Sequence, residues 1–447
     1  MVENSYHPLS EGKAASETSF VVNLSALILS VCVLGVCLSM GMNNLVHLFT
    51  TLLVSLLVFS VGLERLLYPE TSALHRLAFR RRMSWRRVAY REVALAATFG
   101  VIGFCYWLFP LFASKDFTQH YFPFLKTVVP WIAAGSLPYF CLMDRCDPEE
   151  DDVYCRLGRA IVQRRCTLTR FELANYVRGW IVKAFWLGLM QPAMIEKLQW
   201  MVAGDWRKLA GTPVEWYVAA TTVCFFIDLC YASVGYMTNL KMFNTQTRTA
   251  EPTLLGWAVT IVCYWPFWAV LFYPYFFRYD SAHRWLKCCT AGSAVWYVWA
   301  GAIILLELLY ALATVAGGIR FSNLTYRGLW NTGPYRWTKH PAYVFKNLSW
   351  WLISVPFLLN TWQIAVKGSV LLLGLNVIYY LRARTEERHL SHYPEYVAYA
   401  LAMNDRSIFR WCAKLMPFLK YRAPDESSRR FALAADESCC IQAGNMG

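Results

Sequence analysis

Charge is scarce in this sequence. Of its 447 residues only 16% are Asp, Glu, Lys or Arg, while 57% are hydrophobic. A soluble domain carries nearer a quarter charged, so a wholly water-facing fold is excluded and most of the surface must meet lipid. Other signatures are missing as well. There is no C-x-x-C among the fifteen cysteines, so neither a zinc ribbon nor a thioredoxin-like redox pair is indicated. No G-x-G occurs, which removes the soluble dinucleotide-binding fingerprint, and no H-E-x-x-H, which removes the zincin metal site. The acidic run Asp147, Glu149, Glu150, Asp151, Asp152 has no histidine beside it and reads as a solvated loop rather than a metal site. Neither an internal repeat nor a low-complexity linker is visible. The net charge of +14 does not imply nucleic acid, because the basic residues sit between apolar runs, where orientation signals belong.

What is present is a series of apolar runs. Crossing ~30 Å of hydrocarbon takes about 20 residues. Segments 21–42, 45–63, 93–113, 124–143, 215–237, 254–277 and 289–317 qualify; 177–200, 344–360 and 364–381 are shorter or more polar. The first twenty residues are polar (Glu3, Glu11, Lys13, Glu17), so 21–42 reads as a first crossing rather than a cleaved signal. The expected fold is all-α: a polytopic transmembrane bundle of about ten helices.

Residues 64–92 hold eight arginines, and 144–176 hold six more two crossings later. Excess Arg and Lys marks the cytoplasmic side, so both loops are expected there. Segment 177–200 contains Arg178, Lys183, Gln191, Glu196 and Lys197 and makes a poor lipid-facing helix. Counting it as a crossing puts both termini, and the basic segments near 319–343 and 382–388, in the cytoplasm.

Two polar clusters flank a short break at 360–363 between apolar stretches, which reads as the tip of a helical hairpin. One is Gly333-Pro-Tyr-Arg-Trp-Thr-Lys-His-Pro-Ala-Tyr343; the other is Arg382-Ala-Arg-Thr-Glu-Glu-Arg-His-Leu390. Ionisable residues this dense at a membrane face point to function. Pro341 holds His340 in pre-proline geometry at a helix start. His389 and His392 are spaced i, i+3, but a solvated helix face is the simpler reading, and no metal is expected.

These clusters resemble the G-x-Y-x-x-x-[RK]-H-P-x-Y and R-x-R-T-E-E elements of the isoprenylcysteine carboxyl methyltransferase family, and the two apolar helices between them match too. The resemblance covers about 292–399. It implies an S-adenosylmethionine pocket lined by Tyr335, His340, Pro341 and Tyr343 from one side and closed by Glu386 and Glu387 from the other. Carboxylates suit an ammonium or a ribose diol, and tyrosine faces suit a sulfonium. A carboxylate acceptor would need a cation to orient it, and Arg382 or Arg384 is the catalytic candidate. The implied partners are the bilayer and a lipid or prenylated acceptor. Three regions follow: 1–250, transmembrane and of unknown role; 251–415, the methyltransferase-like membrane domain; and 416–447, a polar tail. Two other readings compete. An NADPH-dependent reductase of the sterol-reductase type would want H-P-N-Y, where this chain has His340-Pro-Ala-Tyr343. A transporter or scaffold would use charges inside spans, such as Asp228 and Glu307.

Overall fold

A computed structural model describes residues 16–68, 78–109, 121–204, 211–271, 284–287, 289–354 and 361–424. Helices dominate: α1 (Phe20–Ser39), α2 (Leu45–Leu67), α3 (Trp85–Leu108), α4 (Phe122–Cys146), α5 (Val153–Gln163), α6 (Arg170–Ala203), α7 (Pro213–Met237), α8 (Leu254–Ile261), α9 (Ala294–Gly317), α10 (Pro341–Ser354), α11 (Trp362–Leu390), α12 (Pro394–Arg406) and α13 (Arg410–Leu415). One two-residue antiparallel pair, β1 (Thr249–Ala250) with β2 (Thr325–Tyr326), joins the chain after α7 to the chain after α9. The all-α polytopic expectation holds.

Seven helices among the described residues are long and apolar enough to cross a membrane: α1, α2, α3, α4, α7, α9 with its 3₁₀ extension to Arg320, and α11. The protein is an integral membrane protein. The other three expected crossings differ for identifiable reasons. In 254–277 the α-helix α8 ends at Ile261, and 272–277 lie outside the described residues; so do 355–360, beyond α10, and Asn360 of the hairpin tip. Segment 177–200 lies inside α6, which runs for 34 residues, or ~51 Å at 1.5 Å per residue. The residues that make it look unfit for lipid include Lys183 and Gln191, and both are buried inside the bundle.

Packing explains which helices pair. Helix α1 lies on α2, α7 on α6 and α9, α9 on α10, and α11 on α8 and α10. The main apolar core draws Leu48, Phe49, Leu52 and Leu56 from α2, Met194 and Leu198 from α6, Leu229 and Val234 from α7, and Val315 from α9. Helices on both sides of residue 250 therefore share one core. Polar bonds reinforce this. Asn23 donates to the Val315 carbonyl (2.9 Å), Tyr231 donates to the Asn23 carbonyl (2.6 Å), and Glu17 pairs with Arg248 (2.8 Å). Gly318 sits at φ +54°, where a Cβ would lie 2.3–2.5 Å from the Asn23 amide group. A glycine is needed there on both counts.

The arginine-rich loop and the acidic run are not two separate solvated segments. Arg87 and Arg91 both hold Asp144 (2.7 Å each), and Arg91 also holds Asp152 (3.2 Å); Arg91, Asp144 and Asp152 are buried. Adjacent loops of opposite sign pair rather than hydrate independently. Lys241 reaches Asp147 (2.6 Å) and Arg320 reaches Glu64 (2.9 Å). Thus the start of α3, the ends of α2, α4 and α7, and the end of the α9 span all meet at one face of the bundle. The start of α6 joins them through Asn175, which donates to the Arg248 carbonyl (3.2 Å). Helix α6 therefore runs away from this face and α7 returns to it.

Candidate active site

Both polar clusters converge at that face. Gly333–Arg336 forms a tight 3₁₀ turn that delivers Lys339 and His340 to the start of α10, with Pro341 as its first residue. Proline suits the first helical position, where its missing N–H has no intrahelical partner anyway. The second cluster is the last two turns of α11. Its helix periodicity places Arg382, Glu386 and His389 on the side toward the cleft, while Glu387 turns toward α10.

A cleft of about 1230 Å³, its open mouth included, lies between these elements. Its walls include Tyr335, His340, Tyr343, Arg382, Glu386 and Tyr399. Glu386 is 42% exposed at its side chain and accepts one hydrogen bond, from the Tyr343 hydroxyl (2.7 Å). The His340 ring stacks on Tyr343 at 5.4 Å, nearly parallel. Tyr399 donates to the Tyr335 carbonyl (2.8 Å). Burial raises both phenols above the ordinary tyrosine range, so both stay neutral.

The remaining residues separate in a way sequence did not show. Glu387 is 6% exposed and already shared among three groups: Lys339 (2.7 Å), Arg384 (2.6 Å) and His340 Nε2 (3.2 Å). Burial lowers the pKa of Lys339, and its pairing with Glu387 opposes that shift. Arg384 is 37% exposed, is turned to Glu387, and is not part of the cleft wall. Arg382 does line the cleft. It is buried, donates to Asn323 Oδ1 (2.7 Å), and lies over the rings of Tyr343 (4.8 Å) and Tyr264 (5.6 Å).

Sequence reading missed several contributors. Asn323 donates to the hydroxyls of Tyr236 (2.6 Å) and Tyr264 (2.9 Å) and anchors Arg382. His389 is buried rather than solvated, and shares a hydrogen bond with Thr249 (2.9 Å). Tyr421, in the segment read as a polar tail, is buried and bonded to Ser391 (2.7 Å); residues 425–447 lie outside the described residues. No spacing rule links residues this far apart in sequence. The one available signal was the concentration of tyrosines at 393–399.

The donor set suits a cationic, hydrogen-bonding guest. A half-exposed carboxylate and several ring faces share one wall. The Tyr396 hydroxyl and Trp330 Nε1, both on the cleft wall, are buried with no hydrogen-bond partner among the described residues. Buried polar atoms in a cavity wall ordinarily find a partner, and a bound ligand would supply one. Asp228, by contrast, is already satisfied inside the bundle: it accepts from Tyr310 (2.8 Å) and from Thr314.

Searches of curated proteins and of solved structures found no match to this chain. One comparison did: residues 300–392, which hold both polar clusters and the helical hairpin between them, match the model of the isoprenylcysteine carboxyl methyltransferase family.

Proposed function

We propose that the protein is a membrane methyltransferase that uses S-adenosylmethionine and acts on a lipid or lipidated acceptor. The observation carrying this reading is the cleft wall within the family-matched segment, where the Glu386 carboxylate is paired to the Tyr343 hydroxyl beside stacked His340 and Tyr343 rings. Glu386 is assigned to the cofactor's ammonium or ribose diol, and the face of Tyr335 to its sulfonium side; the Tyr343 ring, already carrying His340 and the Arg382 guanidinium, is assigned to holding Glu386 through its hydroxyl. When bound, S-adenosylmethionine would supply an electrophilic methyl group, and a carboxylate acceptor, already ionised, would need no general base from the chain. The chain's own task is then orientation and exclusion of water, for which a well-aligned pair can gain roughly 7–11 kcal/mol.

Arg382 is assigned to the acceptor's carboxylate, because it lines the cleft. Arg384 acts through Glu387, as a positioning residue. A lipid acceptor follows from the cleft's place at the ends of membrane helices, since irregular backbone at membrane depth is tolerated where it lines a cavity. The arginine-rich loops share this face, so we assign it to the cytoplasm. The test is calorimetric titration with S-adenosylmethionine, followed by transfer of labelled methyl to a total lipid extract and to a prenylated cysteine analogue. Absence of cofactor binding, or label appearing only in water-soluble products, would overturn the assignment.

A further inference from the structure

Helix α10 carries a second cation into the same cleft. Lys346 is six residues past His340, or ~9 Å deeper along the helix axis. Lying i+3 from Tyr343 and i+4 from Ala342, it shares their face, and all three line the cleft. Its ammonium sits over the rings of Tyr310 (4.7 Å) and Trp350 (5.4 Å). Among the described residues no carboxylate comes within 4 Å of it, and it makes no side-chain hydrogen bond. Its acidic neighbours are Asp228 and Glu307. Both oxygens of Asp228 are taken by hydroxyls, and neither acid is within ion-pairing reach. Of the other cations on the cleft wall, Lys339 is paired with Glu387, Arg382 donates to Asn323, and Arg327 is turned to the Gly235 and Thr238 carbonyls.

A lysine at membrane depth normally pairs with an anion or marks a path for one. Ring faces hold the alkyl stem and the charge without neutralising it. We propose that Lys346 is a specificity-determining residue that pairs with the negatively charged group of the acceptor, and that the acceptor is therefore an anionic lipid. This rests on the methyltransferase reading above for the word acceptor, while the anion site itself stands on the geometry of Lys346. The carboxylate of a fatty or prenylated acid and the phosphate of a phospholipid share the required chemistry.

The experiment uses the full chain purified in neutral detergent. Quenching of tryptophan fluorescence by brominated probes reports binding, Trp350 being beside the site. Four probes are titrated: a brominated fatty acid, its methyl ester, brominated phosphatidic acid and brominated phosphatidylcholine. Proteins compared are wild type, Lys346→Met and Lys346→Arg. Wild type should prefer the acid to its ester by ~10-fold or more, a size ordinary for a charge-assisted pair. Lys346→Met, of similar length and apolar, should lower that ratio severalfold without weakening the ester, Arg382 supplying what remains, and Lys346→Arg should keep most of it. Preference for the fatty acid over phosphatidic acid would identify a carboxylate, and the reverse a phosphate. An unchanged ratio in Lys346→Met overturns the proposal, leaving Lys346 as a cation held by the Tyr310 and Trp350 rings. Should Lys346→Met fail to fold, an acid-to-ester ratio near 1 in wild type, or loss of the preference in Lys346→Arg, would overturn it equally. Titration with S-adenosylmethionine runs alongside. No cofactor binding with the acid preference intact would defeat the methyltransferase reading and leave the anion site standing.

Discussion

Replacing Glu387 by glutamine removes the anion that Lys339, Arg384 and His340 share. The three contacts fall within 2.6–3.2 Å, and the carboxylate is 6% exposed. Lys339, 12% exposed at its side chain, is left in a low-dielectric site with no compensating charge. Arg384, 37% exposed, can turn to water. Breaking a fully buried pair costs about 3–5 kcal/mol; with one partner rehydrating, about 2–4 kcal/mol is the expected loss. The loss should appear as stability, because Glu387 faces the gap between α10 and α11 rather than the cleft. Glu386→Gln is the matched control. It gives up one bond to Tyr343 from a half-exposed position, so the fold should scarcely notice, while cofactor affinity should fall by about 1.5–3 kcal/mol, the range for a lost charged hydrogen bond. Thermal unfolding in detergent and titration calorimetry with S-adenosylmethionine read the two quantities separately. If Glu386→Gln bound normally while Glu387→Gln lost binding at unchanged stability, the roles would be reversed and the reasoning from exposure would be wrong.

Further outcomes follow from other parts of the molecule. Gly318→Ala, which combines positive φ with a clash against Asn23, should lower stability by about 1–3 kcal/mol from backbone strain alone, measured by thermal unfolding. Burial pushes the Glu17 carboxyl up, but its pairing with Arg248 outweighs this and holds it below the ordinary value of 4.5. A depressed carboxyl stabilises the fold above that value and loses this as pH falls through its own lower one, so Glu17→Gln should flatten stability against pH in that acid window. Cysteine labelling in intact cells should find Asn331→Cys shielded and Thr212→Cys, at the far end of α6 and α7, accessible; the reverse would invert the orientation.

Much of this architecture was legible because its cause is local. Apolar runs of helical length fix where crossings lie, and Pro341 after His340 marks a helix start whatever surrounds it. The pairing of Tyr343 with Glu386 was within reach, since two helices joined by a short break must return one motif beside the other. Three things were not legible, each depending on contacts across the chain. Glu386 and Glu387 are adjacent in sequence, but a helix turns ~100° between them, so one faces the cleft and the other a gap filled by cations. Lys183 and Gln191 looked like evidence against a crossing because sequence cannot say which side of a helix is buried. The acidic run looked solvated because Arg91, which holds its buried Asp152, lies 61 residues away.

The segment that carries the motifs does not build the site alone. Arg382 lies over Tyr264, His389 bonds to Thr249, and Arg388 donates to Thr253 (2.6 Å), all residues upstream of the family-matched stretch. The strand pair ties Thr249–Ala250 to Thr325–Tyr326, and Glu17 N–H donates to the Leu329 carbonyl (2.9 Å). All but the Arg388 bond fix a side chain or loop on the wall of the cleft. A chain beginning near residue 292 would leave Arg382 without one of its ring faces and His389 without its hydroxyl partner. Buried groups deprived of their partners are costly, so the helices before the motifs belong to the structure of the candidate site, whatever else they do.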